Sequence, residues 1–221
     1  MKTKCRFKMA MRIFSCILAM TLLFCLTACE SDDKDSIPYS HVSAAELTDK
    51  QAQEIMAIIV PKQFEIFEIF CGANDNTLDY TQVCPWDENY VLMTDERFTS
   101  VQDIRDFVLE TMTEEAAKKE YFDKYLDGPY DPANCNVNLY IDYEGKLYCG
   151  LYYGGKGFLY TMLPETSRIV ARTENSVRIE MNTIYPVDTD DGWLYTDAGW
   201  LYTPTLVKTK DGWRVDNALL S

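Results

Sequence analysis

Histidine is almost missing from this sequence: of 221 residues only His41 is one, and it sits in a stretch with few apolar side chains. Without histidine in the part of the chain that can pack, Ser-His-Asp and Cys-His nucleophilic sites and histidine-based metal centres are excluded. Paired Cys-x-x-Cys spacing is missing too, so the cysteines do not spell a zinc motif. Acidic residues are absent from the first 29 positions, and no charge of either sign occurs from Ile13 to Leu26. That uncharged run of 14 residues is too short to span about 30 Å of hydrocarbon as a permanent helix.

What the first positions do hold is Lys2, Lys4, Arg6, Lys8 and Arg12, ahead of the apolar run and followed by small residues. This order predicts a signal peptide over residues 1–28. The segment Leu26-Thr27-Ala28-Cys29 resembles the lipobox of bacterial lipoproteins. The resemblance implies cleavage before Cys29, a diacylglycerol thioether on its sulfur, and a place on the outer face of the cell membrane. Two acyl chains anchor stably where one is reversible.

Five of the 21 basic residues leave with the leader, so 16 face 35 acidic ones and the remaining chain has a formal net charge of −19. Such a field repels polyanions, which excludes nucleic acid as a partner and disfavours anionic lipid and wall polymers. A basic protein surface is the partner it attracts.

Residues 30–42, with Asp32, Asp33, Asp35, Ser36 and Pro38, read as a flexible tether after the lipidated cysteine. Residues 43–221 suffice for a single domain with a real core. Its first part reads as helical. Ser43 with Glu46, and Thr48 with Gln51, form two capping boxes ahead of one bent or two short helices around Pro61, and residues 90–93 suggest a strand. Thr99 with Gln102 caps another helix bearing Val101, Ile104, Phe107 and Val108, and Thr113 opens a third that Gly128-Pro129 stops. Beyond Asn136 the apolar period changes to two, and turns at Glu144-Gly145, Asn175-Ser176 and Asp211-Gly212 predict three hairpins. The fold class is therefore α+β, with N-terminal helices packed on an antiparallel sheet of hairpins.

The first hairpin constrains the cysteines. With Glu144 and Gly145 as its turn, Cys149 faces Tyr140 and lies well away from Cys135. Cys71, Cys84, Cys135 and Cys149 allow three disulfide pairings or buried thiols, and if a local bridge forms, Cys71 to Cys84 is favoured.

Catalytic and metal motifs find little support. Asp188-Thr189-Asp190-Asp191-Gly192 fails as a calcium loop, because Thr189 and Val187 fall where acids are needed and no matching glutamate follows. Gly154-Gly155-Lys156-Gly157 lacks the strand and helix of a phosphate loop and reads as a sheet turn. More informative is Gly192-Trp193-Leu194-Tyr195-Thr196, which recurs at Gly199-Trp200-Leu201-Tyr202-Thr203. Either these are aromatic strand ends packed on one sheet, or they join Asp188, Asp190, Asp191 and Asp197 in an exposed acidic, aromatic loop suited to a protein interface.

Residues 97–220 resemble the IseA-type inhibitors of D,L-endopeptidases, the cell-wall hydrolases with an NlpC/P60 catalytic domain. The residues that carry the likeness are Phe98-Thr99-Ser100-Val101-Gln102-Asp103-Ile104, Met112-Thr113-Glu114-Glu115-Ala116-Ala117, Tyr143-Glu144-Gly145-Lys146-Leu147-Tyr148, the glycines at 154–157 and the closing Lys210-Asp211-Gly212-Trp213-Arg214-Val215. The chain departs from that pattern in its lipid site, its cysteines and the insertion at 188–203. The resemblance implies a non-enzymatic inhibitor that fills the cleft of a basic hydrolase with Asp188, Asp190, Asp191, Trp193 and Asp197, without a cofactor. The alternative is a small-ligand-binding module of the NTF2-like or cystatin-like kind.

Overall fold

The computed structural model describes residues 36–71, 77–128, 138–151, 160–189 and 192–217, with the backbone alone for 186–199. The leader, Cys29, Cys135, the glycines at 154–157, Asp190 and Asp191 lie outside the described residues.

Helix α1 (Asp49–Cys71) begins at the second of the two capping boxes. The side-chain oxygen of Gln51 accepts from the Thr48 N–H at 3.0 Å, and the Thr48 hydroxyl accepts from the Gln51 N–H at 3.3 Å. Ser43 and Glu46 also bond, at 2.7 Å, but they close a turn ahead of the helix, so the helical span starts at Asp49 rather than Ser43. Pro61 does not split α1. It removes the donor for the Ala57 carbonyl, and both residues are exposed, so water can take that place. The opposite face buries Ile55, Met56, Ile59, Ile66 and Phe70.

Strands β1 (Leu78–Cys84) and β2 (Asp87–Met93) follow as a hairpin between helices. The sheet thus begins earlier than the sequence predicts, because most of β1 is polar and exposed and shows no alternating pattern. Helix α2 (Val101–Leu109) is capped one residue later than predicted, by Ser100 with Asp103. The Asp103 carboxylate decides this: it accepts from the N–H groups of Thr99 and Ser100 and from the Thr99 hydroxyl, at 2.7–2.9 Å. Thr113 opens α3 (Glu114–Ala117) as predicted, and a π-helical segment, Lys118–Leu126, continues it. This segment lays Tyr121 and Tyr125 against Phe70, with ring centroids 4.7 and 5.5 Å apart.

Strands β3 (Tyr140–Tyr143) and β4 (Lys146–Gly150) form the first predicted hairpin, with Tyr140 opposite Cys149. Glu144 and Gly145 take φ of 49° and 75°, the left-handed pair that a two-residue turn of this hand requires. β4 joins β2, giving a four-stranded sheet in the order β1-β2-β4-β3.

The second sheet centres on β7 (Ser176–Thr189). One of its edges takes β5 (Thr161–Met162) and β6 (Arg168–Arg172), with a 3-10 turn at Pro164–Thr166 between them. The other edge takes β8 (Gly192–Tyr202) and β9 (Thr205–Thr209). Met181 opposite Tyr202 and Arg178 opposite Thr205 belong to one register, so β9 continues β8 along the same edge past a break at Pro204. The Pro204 carbonyl still accepts from the Ile179 N–H at 2.9 Å; only the donor is lost. β10 (Gly212–Val215) pairs with β9, and its outer edge is capped by residues 111–113.

Two turns fall one residue earlier than predicted, at Glu174-Asn175 and Lys210-Asp211, because Arg172 is opposite Val177 and Gly212 opposite Thr209. In each a threonine precedes the turn: the Thr173 hydroxyl accepts from the Ser176 N–H at 3.0 Å and the Thr209 hydroxyl from the Asp211 N–H at 3.2 Å. The pairing moves by two residues in all, so the faces of the strands are unchanged.

Residues 37–42 are not part of a free tether, so His41, expected outside the packed part, belongs to the folded unit. Ile37, Tyr39 and Val42 pack against the main core, and the packed unit begins at Ile37 rather than Ser43. The Tyr39 hydroxyl donates to Glu54, the Tyr39 carbonyl accepts from the Trp213 indole N–H at 3.1 Å, and the Ser40 carbonyl accepts from the Lys208 ammonium. These bonds hold Tyr39 at φ 60°, a conformation that costs about 1–2 kcal/mol without glycine. Trp213 is fully buried beneath this strap.

Replacing Trp213 with alanine should cost about 3–5 kcal/mol in urea unfolding and open residues 37–42 to proteolysis. A loss below about 1 kcal/mol would mean that the strap and last hairpin are not coupled to the core.

Acid should weaken the α2 cap. Hydrogen bonds from Thr99 and Ser100 hold the Asp103 carboxyl below its ordinary range, and the Arg97 guanidinium does the same for Asp95. Their stabilisation is complete above the unfolded-state value of about 3.9 and is lost as pH falls through the lower folded-state values. Urea midpoints measured downward from about pH 5 should fall less steeply in Asp103→Asn than in wild type.

Candidate functional site

The C-terminal half of β7 and most of β8 form a hairpin with only two connecting residues, Asp190 and Asp191. β5 reaches β7 no further than Ile184, so among the described residues 185–189 pair with β8 alone. Five residues at about 3.3 Å each give a two-stranded ribbon extending some 16 Å beyond its neighbours among the described residues. The acidic, aromatic insertion is therefore built of strands rather than a loop. Asp188 is opposite Trp193, and Asp197 is opposite Ile184, about 13 Å nearer the base. The two copies of Gly-Trp-Leu-Tyr-Thr are not equivalent: Tyr195 is opposite Pro186 and Tyr202 is opposite Met181, with a two-residue register shift between them. The second copy supplies both buried and exposed positions, since Tyr202 enters the core while Trp200 and Leu201 remain exposed.

At the base of the ribbon, Tyr160 packs on Trp200 and Tyr185, with ring centroids 5.5 and 5.1 Å apart. This aromatic group is a site component that sequence reading missed. Tyr160 and Tyr185 lie outside the repeated motif, and only strand pairing brings them to Trp200. The repeat itself was the available signal.

Charge completes the picture. No Lys or Arg occurs between Arg178 and Lys208, so all of β8 and the ribbon half of β7 lack a cation while holding Asp188 and Asp197, and the two residues between the strands in sequence are Asp190 and Asp191. Their field favours a basic partner. The sequence has one histidine, His41, which is remote in sequence from these acids, and no group of three His, Cys, Asp or Glu among the described residues could hold a metal.

A cavity of about 220 Å³ opens among Ala171, Arg172, Thr173, Ser176, Arg178 and Thr205. It is smaller than the roughly 300–1,000 Å³ of drug-sized ligand sites. The space between α1 and the sheets is filled by Ile55, Ile59, Val177, Ile179 and Leu206.

The described cysteines are free thiols. Cys149 faces the main core, whereas Cys84 lies with Tyr90 and Tyr148 on the other face of the four-stranded sheet. The favoured Cys71 to Cys84 bridge is not formed. Burial pushes the Cys149 thiol up to about 12 and raises that of Cys71.

No protein-family model matches the sequence, and no curated protein does. Among the described residues no helix is long and apolar enough to cross a membrane.

Alkylation of the native protein should modify half-exposed Cys71 before buried Cys84 and Cys149, which react only on unfolding. Peptide mapping without reductant that recovers a Cys71 to Cys84 bridge would contradict this arrangement.

Proposed function

We propose that this protein is a lipid-anchored, extracytoplasmic lipoprotein that inhibits cell-wall D,L-endopeptidases of the NlpC/P60 type without chemistry of its own. The observation carrying this reading is the cation-free ribbon of β7 and β8, with Asp188 near its end and Asp190 and Asp191 between the two strands in sequence. A narrow two-stranded element can enter a cleft that a flat sheet face cannot. Its carboxylates meet a basic rim while aromatic rings at the base supply apolar area. The likeness of residues 97–220 to IseA-type inhibitors points the same way, and so does the near absence of histidine from the sequence. Cys29, with its diacylglycerol, keeps the inhibitor on the membrane beside the wall.

Charges at a rim act mainly on the association rate. Changing Asp188, Asp190 and Asp191 together to Asn should slow association with the hydrolase more than it speeds dissociation. The difference should shrink as salt cuts the screening length from about 10 Å at 0.1 M to about 3 Å at 1 M. Peptidoglycan hydrolysis by an NlpC/P60 enzyme measures it. Equal inhibition by both proteins at low salt removes the ribbon as the inhibitory element, and no inhibition by wild type across a panel of such enzymes transfers the case to a small-ligand module.

Cys29→Ser removes the acyl acceptor, so labelled palmitate should not be incorporated and the leader should stay uncut or be miscut. Incorporation equal to wild type refutes the anchor.

A further inference from the structure

An open strand edge is a row of unpaired N–H and C=O groups, and proteins keep other chains off it with short or bent strands, charge, proline or a covering element. The described edges of this domain are guarded in those ways, save one. The Ile169 N–H at the edge of β6 is taken by the Asp49 carboxylate at 2.9 Å, and Gln53 donates to the Ser167 carbonyl just before that strand at 3.1 Å. β10 is covered by residues 111–113, with the Val215 N–H on the Thr111 carbonyl at 2.8 Å and the Thr113 N–H on the Val215 carbonyl at 2.9 Å. β1 loses register twice, and its Asp79 carboxylate turns back to accept from Thr81 and Gln82. β3 and β5 are four and two residues long.

β8 is the exception. It runs for 11 residues from Gly192 to Tyr202 without lysine, arginine or proline, and among the described residues it pairs with β7 alone. Register shows which of its groups are left over. The Asn182 N–H goes to the Thr166 hydroxyl on the β5 and β6 side of β7, and the Ile179 N–H to the Pro204 carbonyl on the β8 and β9 side. Alternation along β7 then turns Ile184 and Pro186 toward the first side and Tyr185, Val187 and Thr189 toward β8. Pro186 thus blunts the free edge of β7, having no N–H to offer there. Opposite Tyr185, Val187 and Thr189 stand Thr196, Leu194 and Gly192, which bond inward. Trp193, Tyr195 and Asp197 therefore direct their N–H and C=O groups outward, over a stretch that ends at the register shift after Asp197.

We infer that the outer edge of β8, over residues 192–197, is a strand-addition site that takes an extended, lysine- or arginine-bearing segment of a partner protein. Main-chain bonds to Trp193, Tyr195 and Asp197 hold the added strand. Charge chooses the occupant. Asp188, Asp190, Asp191 and Asp197 occur with no cation between Arg178 and Lys208, so cations on the added strand gain where acids lose. A second copy of this chain is the poorer occupant. Asp197 is the midpoint of Gly192–Tyr202, so antiparallel self-pairing over the whole strand sets it opposite its own counterpart, and like charges directly opposite destabilise. The inference deepens the inhibitor reading and rests on it for the identity of the partner: the segment belongs to the hydrolase, beside the cleft that the ribbon enters.

The test is amide hydrogen exchange of the full-length protein with a synthetic peptide of alternating lysine and valine, about seven residues long. The peptide should slow exchange at Trp193 and Tyr195 and leave Leu194 unchanged. Glutamate in place of lysine should abolish the effect. Tyr195→Pro removes one outward N–H and no bond to β7, and should weaken the peptide roughly fivefold, the worth of one main-chain hydrogen bond. Tyr195→Ala keeps that N–H and should bind more tightly than the proline variant. Should proline disturb the ribbon, seen as faster exchange at Leu194, the same peptide N-methylated throughout replaces it and should not bind. No slowing at Trp193 and Tyr195, or equal slowing by the N-methylated peptide, overturns the inference; inhibition of an NlpC/P60 enzyme that persists then leaves the inhibitor reading intact. Slow exchange there without peptide also overturns it. The edge is then filled by a second copy if protection grows with protein concentration, and by another segment of this chain if it does not. Peptide addition without inhibition of any enzyme in the panel removes the hydrolase as partner and leaves the strand-addition site standing.

Discussion

A long strand inside a sheet needs partners for the backbone groups on its edges, and the arrangement after Thr161 follows from that demand on the fourteen residues of β7. No single neighbour is long enough. One edge is served by β5 and β6 with a 3-10 turn between them, the other by β8 and β9 with Pro204 between them. The inward residues Val177, Ile179 and Met181 seal the α1 face, so the same strand that organises the sheet also organises the core. Beyond Ile184, among the described residues, β7 pairs with β8 alone. The ribbon proposed to meet a partner is the unshared remainder of the strand that holds the fold together.

Much of this was legible in the sequence, for reasons that can be named. Glu144-Gly145 dictated both turn and register, and the pairing of Tyr140 with Cys149 followed without any tertiary information. The amphipathic stripes of α1 and α2 and the Thr113 cap were also readable. Less legible were features resting on side-chain competition. Asp103 outbid Gln102 because its short carboxylate reaches three donors at once. Thr173 and Thr209 advanced two turns by one residue through their hydroxyls, where Asn and Gly had seemed decisive. β1 was invisible because a polar edge strand carries no apolar alternation.

The candidate site shows the same division. Its acids and the repeated aromatic motif stood out as sequence features, but whether they formed a loop or strands depended on β7 offering them an edge. Tyr160 and Tyr185 join Trp200 only through that pairing. Charge, too, was summed correctly over the whole chain and yet said nothing of its distribution. The ribbon is free of cations, whereas Arg172 and Lys208 are each tied to carbonyls over a hundred positions away, at Ala44 and Ser40.

The bond between Tyr39 and Trp213 joins nearly the first packed residue to nearly the last. Contacts of such separation raise contact order and delay the loop closure on which a native core depends. A chain emerging N-terminus first, from a ribosome or through a membrane pore, can form α1 and the first sheet early. It cannot seal its core until Trp213 has followed. Until then the apolar face of α1 stays accessible, so such a chain needs either rapid passage or a chaperone to hold it, and completion comes as a single late event.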